Sequence, residues 1–187
     1  MEVLKKIIGS CLIALLLMLF NASILSAQTA PNREYQIKAV FLFNFTQFIE
    51  WPAASFSTSY APLVIGVLGD NPFGTFLEET VEDEKIKGHP LVIQYYKTPE
   101  EIKTCHILFI NLTEKNKLNL VLSKLKEKNT LTVSDASGFL QQGGMIRFYL
   151  KDNKVQIQIN SDSAQDANLT ISSKLLRVAE IYAPAKK

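Results

Sequence analysis

Two short polar segments carry side chains that could act in acid–base chemistry or bind a ligand. Asp70 and Asn71 directly follow one apolar run, and Ser134 and Asp135 end or follow another. A carboxylate in such a position can move a proton or bind a cation, and the N–H groups after Asn71 can bind an anion. The alternative is structural, because a short polar acceptor also caps the helix or turn beside it.

The chain offers few groups that could activate a nucleophile. Its two histidines are His89, placed before a proline and expected to be exposed, and His106. His106 adjoins Cys105, and neighbouring strand residues point to opposite faces, which argues against a Cys–His pair. No cluster has metal-ligand spacing. We therefore expect no catalytic residue, metal or cofactor. A hydrolase that uses Asp70 or Asp135 is the enzymatic alternative.

Apolar runs and helical periodicity predict the elements that position these polar segments. Strands are predicted at 62–69, 91–96, 106–111 and 130–134, and helices at 34–49, from Asn71 as N-cap to about residue 82, and from 113 onward. Strands that alternate with helices predict a parallel sheet covered on both faces. Ligands bind beyond the carboxyl ends of such strands, where both polar segments fall.

The pattern changes in the last third of the chain. Residues 145–150 and 155–160 alternate with a period of two and predict a hairpin across 151–154. Residues 161–182 are predicted to be helical, with a break near 168–172. The expected fold class is a single three-layer α/β domain: a mostly parallel central sheet, helices on both faces, and a C-terminal antiparallel hairpin at the edge.

Residues 1–27 have the order of a secretory signal peptide. Lys5 and Lys6 precede an apolar stretch, and small residues lead to a cleavage site expected after Ala27. The stretch is about 14 residues long, short of the roughly 20 that span a bilayer. We expect an exported protein whose mature domain is 28–187.

Charge and cysteine content exclude further classes. The chain has 20 Lys and Arg against 18 Asp and Glu, without a basic cluster, which argues against binding nucleic acid. Cys105 is the one cysteine after the leader, and the apolar residues that follow it predict a buried thiol.

Several blocks in the same order carry a resemblance to a known family. They are 34–45 with 48–52, the run 105–110, 131–135 with 138–139, Gly143-Gly144-Met145-Ile146, and 159–160 followed by 169 and 171–177. Together they resemble the YfiR family of periplasmic proteins, and the resemblance covers nearly the whole mature chain.

The resemblance implies a regulator that is not an enzyme. It implies binding to the periplasmic part of an inner-membrane sensor, either a diguanylate cyclase such as YfiN or a histidine kinase, and repression of that sensor. An outer-membrane lipoprotein would relieve the repression, and the output would be cyclic-di-GMP and biofilm. The alternatives are a small-molecule-binding module that reports to a sensor through the loops Asp70–Phe73 and Ser134–Gly138, and a purely structural envelope protein.

The resemblance also implies site residues and one departure. Partner contacts in the family follow the Gly-Gly-Met loop, which corresponds here to Ile146, Gln158 and Ala164. Cyclase-controlling members have two disulfides. Cys105 matches one of those cysteines without its partner, and Leu140 and Arg147 stand where the second pair would be.

Two surfaces are expected to supply apolar anchors for a partner. One is the aromatic first helix, with Phe41, Phe43, Phe45 and Phe48, and the other is the edge hairpin, which can also pair with a partner strand. A homodimer through either surface is expected. The alternative is that the helix aromatics belong to the core.

Overall fold

Ten strands and five α-helices make up the part of the chain that the computed structural model describes, residues 33–126 and 128–184; the predicted signal peptide lies outside it. The strands are β1 (Ile49–Glu50), β2 (Leu63–Gly69), β3 (Lys85–Ile86), β4 (His89–Tyr96), β5 (Ile107–Asn111), β6 (Leu131–Ser134), β7 (Ile146–Lys151), β8 (Lys154–Ile159), β9 (Thr170–Ile171) and β10 (Glu180–Ile181). The helices are α1 (Arg33–Phe48), α2 (Phe76–Val81), α3 (Lys115–Leu125), α4 (Ser161–Asp166) and α5 (Ser173–Leu176).

Eight strands form one sheet in the order β10-β8-β7-β6-β5-β2-β4-β3, and β1 pairs with β9 in a separate two-stranded sheet. The pairs from β4 through β2, β5 and β6 to β7 are parallel. The hairpin β7–β8 is antiparallel, as is β3 on β4. The predicted α/β class with a mostly parallel sheet is confirmed.

Each face of the sheet is covered by helices, because the central strands are apolar on both sides. Ile65 and Val67 of β2 belong to a core cluster with α1, α2, α4 and α5. Leu68 of β2 and Leu108 of β5 pack in a second cluster beneath α3. Strands buried on both faces are typical of parallel sheets, and the result is the predicted three-layer arrangement.

The aromatic residues of α1 belong to the core. Phe45 is fully buried and stacks on Phe148 of β7, with ring centroids 6.0 Å apart. Phe41 lies 5.8 Å from the same ring, and Phe43 and Phe48 are partly buried against the cluster. Of the two interpretations of this helix, the core role is the one that the packing supports.

The helix after β2 begins later than the sequence predicts. Asn71 does not cap a helix; its side chain accepts from the Phe73 N–H (2.9 Å) and donates to the Gly74 carbonyl (2.8 Å). These bonds close a turn, and Gly74 has a φ of 60°. A left-handed residue interrupts a helix, so α2 starts only at Phe76.

The hairpin is confirmed, with one addition at its outer side. Asp152 and Asn153 form its two-residue turn with φ values of 50° and 55°. β10 pairs outside β8, with Glu180 opposite Gln158 and Ile181 opposite Ile159. The outer strand of the hairpin is therefore covered at its carboxyl end and open at its start.

The last segment departs most from prediction, since 161–182 holds two short helices and two short strands. Asn160 caps α4 by accepting from the Ser163 N–H (3.1 Å). Asn168, with φ 56°, turns the chain out of the helix. β9 and β10 then form because strands distant in sequence, β1 and β8, offer them pairing partners.

Candidate functional site

The first predicted ligand loop is closed by its own hydrogen bonds. Asp70 is exposed, and its backbone carbonyl accepts from Asn111 Nδ2 of the loop after β5 (2.9 Å). A Cβ on Gly69 would lie 2.6 Å from the Asn111 carbonyl oxygen, so the two loops touch. The loops that follow β2 and β5 are therefore in direct contact at the carboxyl end of the sheet, where a parallel sheet would receive a ligand.

In the second predicted ligand loop, Ser134 and Asp135 are bonded within the protein, whereas Ser137 and Gly138 line a cavity of about 590 Å³. Ser134 is fully buried; its hydroxyl donates to the Ile110 carbonyl (2.7 Å) and accepts from the Ala136 N–H (3.1 Å). Asp135 Oδ2 accepts from Lys38 Nζ (2.6 Å) and from the Tyr35 hydroxyl (3.1 Å). Asp135 is the counter-ion of a lysine, and its side chain does not cap a helix.

That lysine is the charged residue that sequence reasoning missed. Lys38 is 2 % exposed, with Nζ 2.6 Å from Glu34 Oε1 as well as from Asp135 Oδ2. The ammonium also lies 4.2 Å from the centroid of the Tyr35 ring. Buried charges need such compensation. The available signal was a lysine on a helix whose neighbouring positions, such as Ile37 and Phe41, are apolar.

Tyr35 joins the two predicted loops. Its ring packs edge-on against Phe73, with centroids 5.6 Å apart, while its hydroxyl binds Asp135. Burial, together with the negative charge of Asp135, raises the pKa of Tyr35 to about 12. Tyr35 and Lys38 therefore tie the two carboxyl-end loops to α1.

The two histidines hold the loop between β1 and β2, residues 51–62. His106 is buried; its Nδ1 accepts from the Val64 N–H (3.0 Å), so its Nε2–H donates to the Ser55 carbonyl (3.1 Å). The Phe56 ring lies between the imidazoles, 4.5 Å from His106 and 4.0 Å from His89.

The expectation that His89 is exposed is wrong, because this ring is half-buried against Phe56. Its Nδ1–H donates to the Ala61 carbonyl (2.6 Å). Trp51 Nε1–H donates to the His106 carbonyl (3.2 Å) and completes the attachment of the loop. The stacking contacts and hydrogen bonds of the two imidazole rings therefore serve to hold this loop in place.

Cys105 is a buried free thiol, as predicted. Its Sγ–H donates to the Ile107 carbonyl (3.0 Å), and burial raises the pKa of the thiol to about 12. A thiol of this kind is a poor nucleophile at neutral pH. Across the described residues, no group of three His, Cys, Asp or Glu is placed to hold a metal.

The three residues that the resemblance assigns to partner contact do not share one surface. Ile146 and Ala164 are fully buried in the core beneath α1, so neither side chain offers a surface to a partner. Gln158 lies on the opposite face of the hairpin and is partly exposed. Of the three, only Gln158 can touch a partner directly in this fold.

Gln158 belongs to a polar sheet face. Because strand residues alternate and β7 pairs with β8 in the register Arg147–Gln158 and Tyr149–Gln156, these four side chains share one face. All four are partly buried, and none belongs to the core cluster under α3. Glu180 of β10 joins them. We call these five residues the hairpin face.

Hydrogen bonds order part of the hairpin face and leave one donor unpaired. Glu180 accepts from Gln158 Nε2 (2.6 Å) and from the Tyr149 hydroxyl (2.9 Å). Arg147 Nε is buried and has no hydrogen-bond partner. A buried donor without an acceptor costs free energy, and a guanidinium binds carboxylates in preference. The face therefore combines a fixed network with an unsatisfied cationic donor.

A comparison with known protein families matches a stretch of the chain that includes both the hairpin face and the two predicted ligand loops. Residues 35–180 match the family described as YfiR/HmsC-like. The chain belongs to the YfiR/HmsC-like family. No curated protein matches it. YfiR/HmsC-like proteins are regulatory, non-catalytic and periplasmic. Within 33–126 and 128–184, no helix of this YfiR/HmsC-like chain combines the length and apolar character needed to cross a bilayer.

Proposed function

We propose that this protein binds the periplasmic part of an inner-membrane sensor, a diguanylate cyclase or a histidine kinase, and lowers its output. The observation that carries the proposal is the match to the YfiR/HmsC-like family across 35–180, which is nearly all of the predicted mature domain. Repression of this kind needs a docking surface and no chemistry, which agrees with histidines, a cysteine and an aspartate that serve packing.

The hairpin face supports the proposal as the docking surface. It contains Gln158, which is the partly exposed residue among the three assigned to partner contact and which donates to Glu180. Arg147 offers a donor that a carboxylate of the sensor would satisfy. Tyr149 adds an aromatic ring of the kind that anchors protein interfaces.

The finer parts of the proposal rest on the family resemblance. They are relief of repression by an outer-membrane lipoprotein, an effect on cyclic-di-GMP and biofilm, and a homodimer. The homodimer is tested by the mass of the purified protein in solution, which would be twice that of the chain.

In-cell photo-crosslinking tests the docking surface. A photo-reactive residue is placed at Gln158 and, as the matched control, at Gln47, an exposed glutamine of α1 on the other side of the sheet. We expect the Gln158 probe, and not the Gln47 probe, to capture an inner-membrane protein with a cyclase or kinase domain. Capture of nothing but this protein at both positions would contradict the proposal.

A functional measurement accompanies the crosslinking. Gln158→Arg places a second cation beside Arg147 in the hairpin face, so we expect weaker repression and a higher cyclic-di-GMP level or kinase output. Gln47→Arg should leave the output unchanged. Equal effects of the two variants would show that the hairpin face has no special role.

A further inference from the structure

The opposite edge of the sheet is open along most of β4. β4 pairs with β2 from Leu91 to Tyr96, whereas β3 covers only His89 and Pro90 on its other side. Among the described residues, no strand lies beside Val92–Tyr96 on that outer side. Sheet edges with unpaired peptide groups bind added strands, and natural proteins usually protect them.

The backbone direction identifies the unpaired groups. The Leu91 N–H donates to the Glu84 carbonyl (3.1 Å), which lies on the β3 side. Because successive peptide groups of a strand point to opposite edges, those of Ile93 and Tyr95 also point outward, while those of Val92 and Gln94 bind β2. Ile93 and Tyr95 thus offer the N–H and C=O groups of a free strand edge.

An acidic groove runs beside this edge. A cavity of about 450 Å³ is lined by Leu91, Val92 and Ile93 of β4 and by residues of α2 and the turn after it. The charged residues of its lining are Glu78, Glu79, Glu82 and Asp83, and no basic side chain lines it. The groove therefore combines apolar walls with an excess of negative charge.

Glu78 carries an unsatisfied acceptor at this groove. Its Oε1 accepts from the Tyr95 hydroxyl, while its Oε2 is buried and has no hydrogen-bond partner. A buried carboxylate oxygen without a donor is costly, and an ammonium or guanidinium group would satisfy it. Burial and the bond to Glu78 raise the pKa of Tyr95, so the tyrosine remains a donor.

We propose that the outer edge of β4 binds an extended segment of another protein by strand addition, with lysine or arginine side chains of that segment in the groove beside Glu78. The peptide groups of Ile93 and Tyr95 supply the backbone hydrogen bonds, which gives affinity. The acidic groove selects the side chains, because alternate residues of an added strand point to the same face. The proposal does not depend on the proposed function.

Charge complementarity selects this occupant over a second copy of the chain. The edge residues Leu91–Tyr96 include no basic side chain. Two copies paired edge to edge would bring two acidic grooves to one interface. The edge residues of neither copy could neutralise them, so the contact would be repulsive. A basic segment from a different protein neutralises the same charges.

Fluorescence anisotropy with a labelled peptide of alternating valine and lysine tests the proposal. We expect the peptide to bind the purified protein, and Glu78→Gln with Glu82→Gln to weaken binding about tenfold or more. Glu114→Gln, at the residue that precedes α3 on the other face of the sheet, is the matched control and should bind like the unchanged protein. A peptide with glutamate in place of lysine should not bind.

Two further measurements separate strand addition from charge attraction alone. The same valine–lysine peptide with N-methylated amides keeps its charges but cannot donate backbone bonds, and it should not bind. Hydrogen exchange at the amides of Ile93 and Tyr95 should slow when the unmodified peptide is present. No binding of that peptide, equal binding of the methylated one, or unchanged exchange at both amides would each overturn the proposal.

Discussion

The buried ammonium of Lys38 decides how α1 attaches to the sheet. Asp135 and Glu34 have side chains 27 % and 26 % exposed, so their charges remain partly solvated while Lys38 does not. Removing one partner of a buried pair leaves an uncompensated charge. The arrangement makes Asp135 a stabilising residue.

Asp135→Ala should lower the free energy of unfolding by about 2 kcal/mol, less than the full cost of breaking a buried pair because Glu34 continues to hold Lys38. Chemical denaturation measures the change. Glu100→Ala, which removes an exposed carboxylate paired with Lys124, is the control and should leave stability nearly unchanged. Equal stabilities for the two variants would show that the Lys38 network contributes nothing.

His106 makes stability depend on pH. Burial, with the nearby His89, lowers its pKa below the ordinary 6.5, against a smaller opposing effect of the bond to Ser55. The unfolded chain then binds the proton more readily. The contribution of neutral His106 is complete above about pH 6.5 and is lost as the pH falls toward the folded-state pKa.

Unfolding measured across this range should show falling stability in the unchanged protein and a shallower fall in His106→Gln, which cannot titrate. His89→Gln should keep most of the fall, since burial, the largest cause of the lowered His106 pKa, remains. An unaltered slope in His106→Gln would assign the pH dependence to other groups.

At the residue scale, local patterns predicted burial better than they predicted partners. The apolar neighbours of Cys105 were enough to predict a buried thiol. Nothing local links Lys38 to Asp135, which lies 97 residues further along the chain. Pairings of that kind depend on strand order, so Asp135 was left open between capping and chemistry.

At the scale of elements, the hairpin turn is the clearest case of sequence dictating backbone. Asp152 and Asn153 both have positive φ, as a two-residue turn that matches the strand twist requires. Asparagine and aspartate tolerate this region better than other residues with a Cβ.

Asn153→Ala should therefore lower the free energy of unfolding by about 1 kcal/mol, whereas Asn153→Gly should retain or raise it, because glycine adopts positive φ without strain. Thermal or chemical unfolding of the two variants checks the order. If alanine were as stable as glycine, turn strain would not contribute at this position.

Long elements were predictable and short ones were not. β2, α3 and the hairpin have enough residues for a period of two or 3.6 to appear, or for a continuous apolar run. β9 and β10 have two residues each, and they exist because β1 and β8 lie beside them. The same limit applies to α2, whose start is set by the turn that Asn71 closes.

At the scale of the whole molecule, stability rests on the core without a covalent link. Cys105 is the single cysteine of residues 28–187, so no disulfide can form within this part of the chain. The two apolar clusters on either side of the sheet carry the stabilisation instead.

The predicted mature chain, residues 28–187, should unfold at the same temperature with and without a reducing agent. Burial of Cys105 also protects it from pairing between chains. Calorimetry in the two conditions is the measurement. A lower midpoint in reductant would reveal an intermolecular disulfide and contradict the buried state of the thiol.

The loop held by the two histidines contains the chain's single tryptophan, Trp51, whose indole N–H binds the His106 carbonyl and whose ring lies edge-on to the imidazole, 6.0 Å away. An imidazolium quenches indole fluorescence, whereas a neutral imidazole does so weakly. The protein therefore carries its own optical reporter. The emission of Trp51 registers the charge of His106 and the attachment of the loop without any added label.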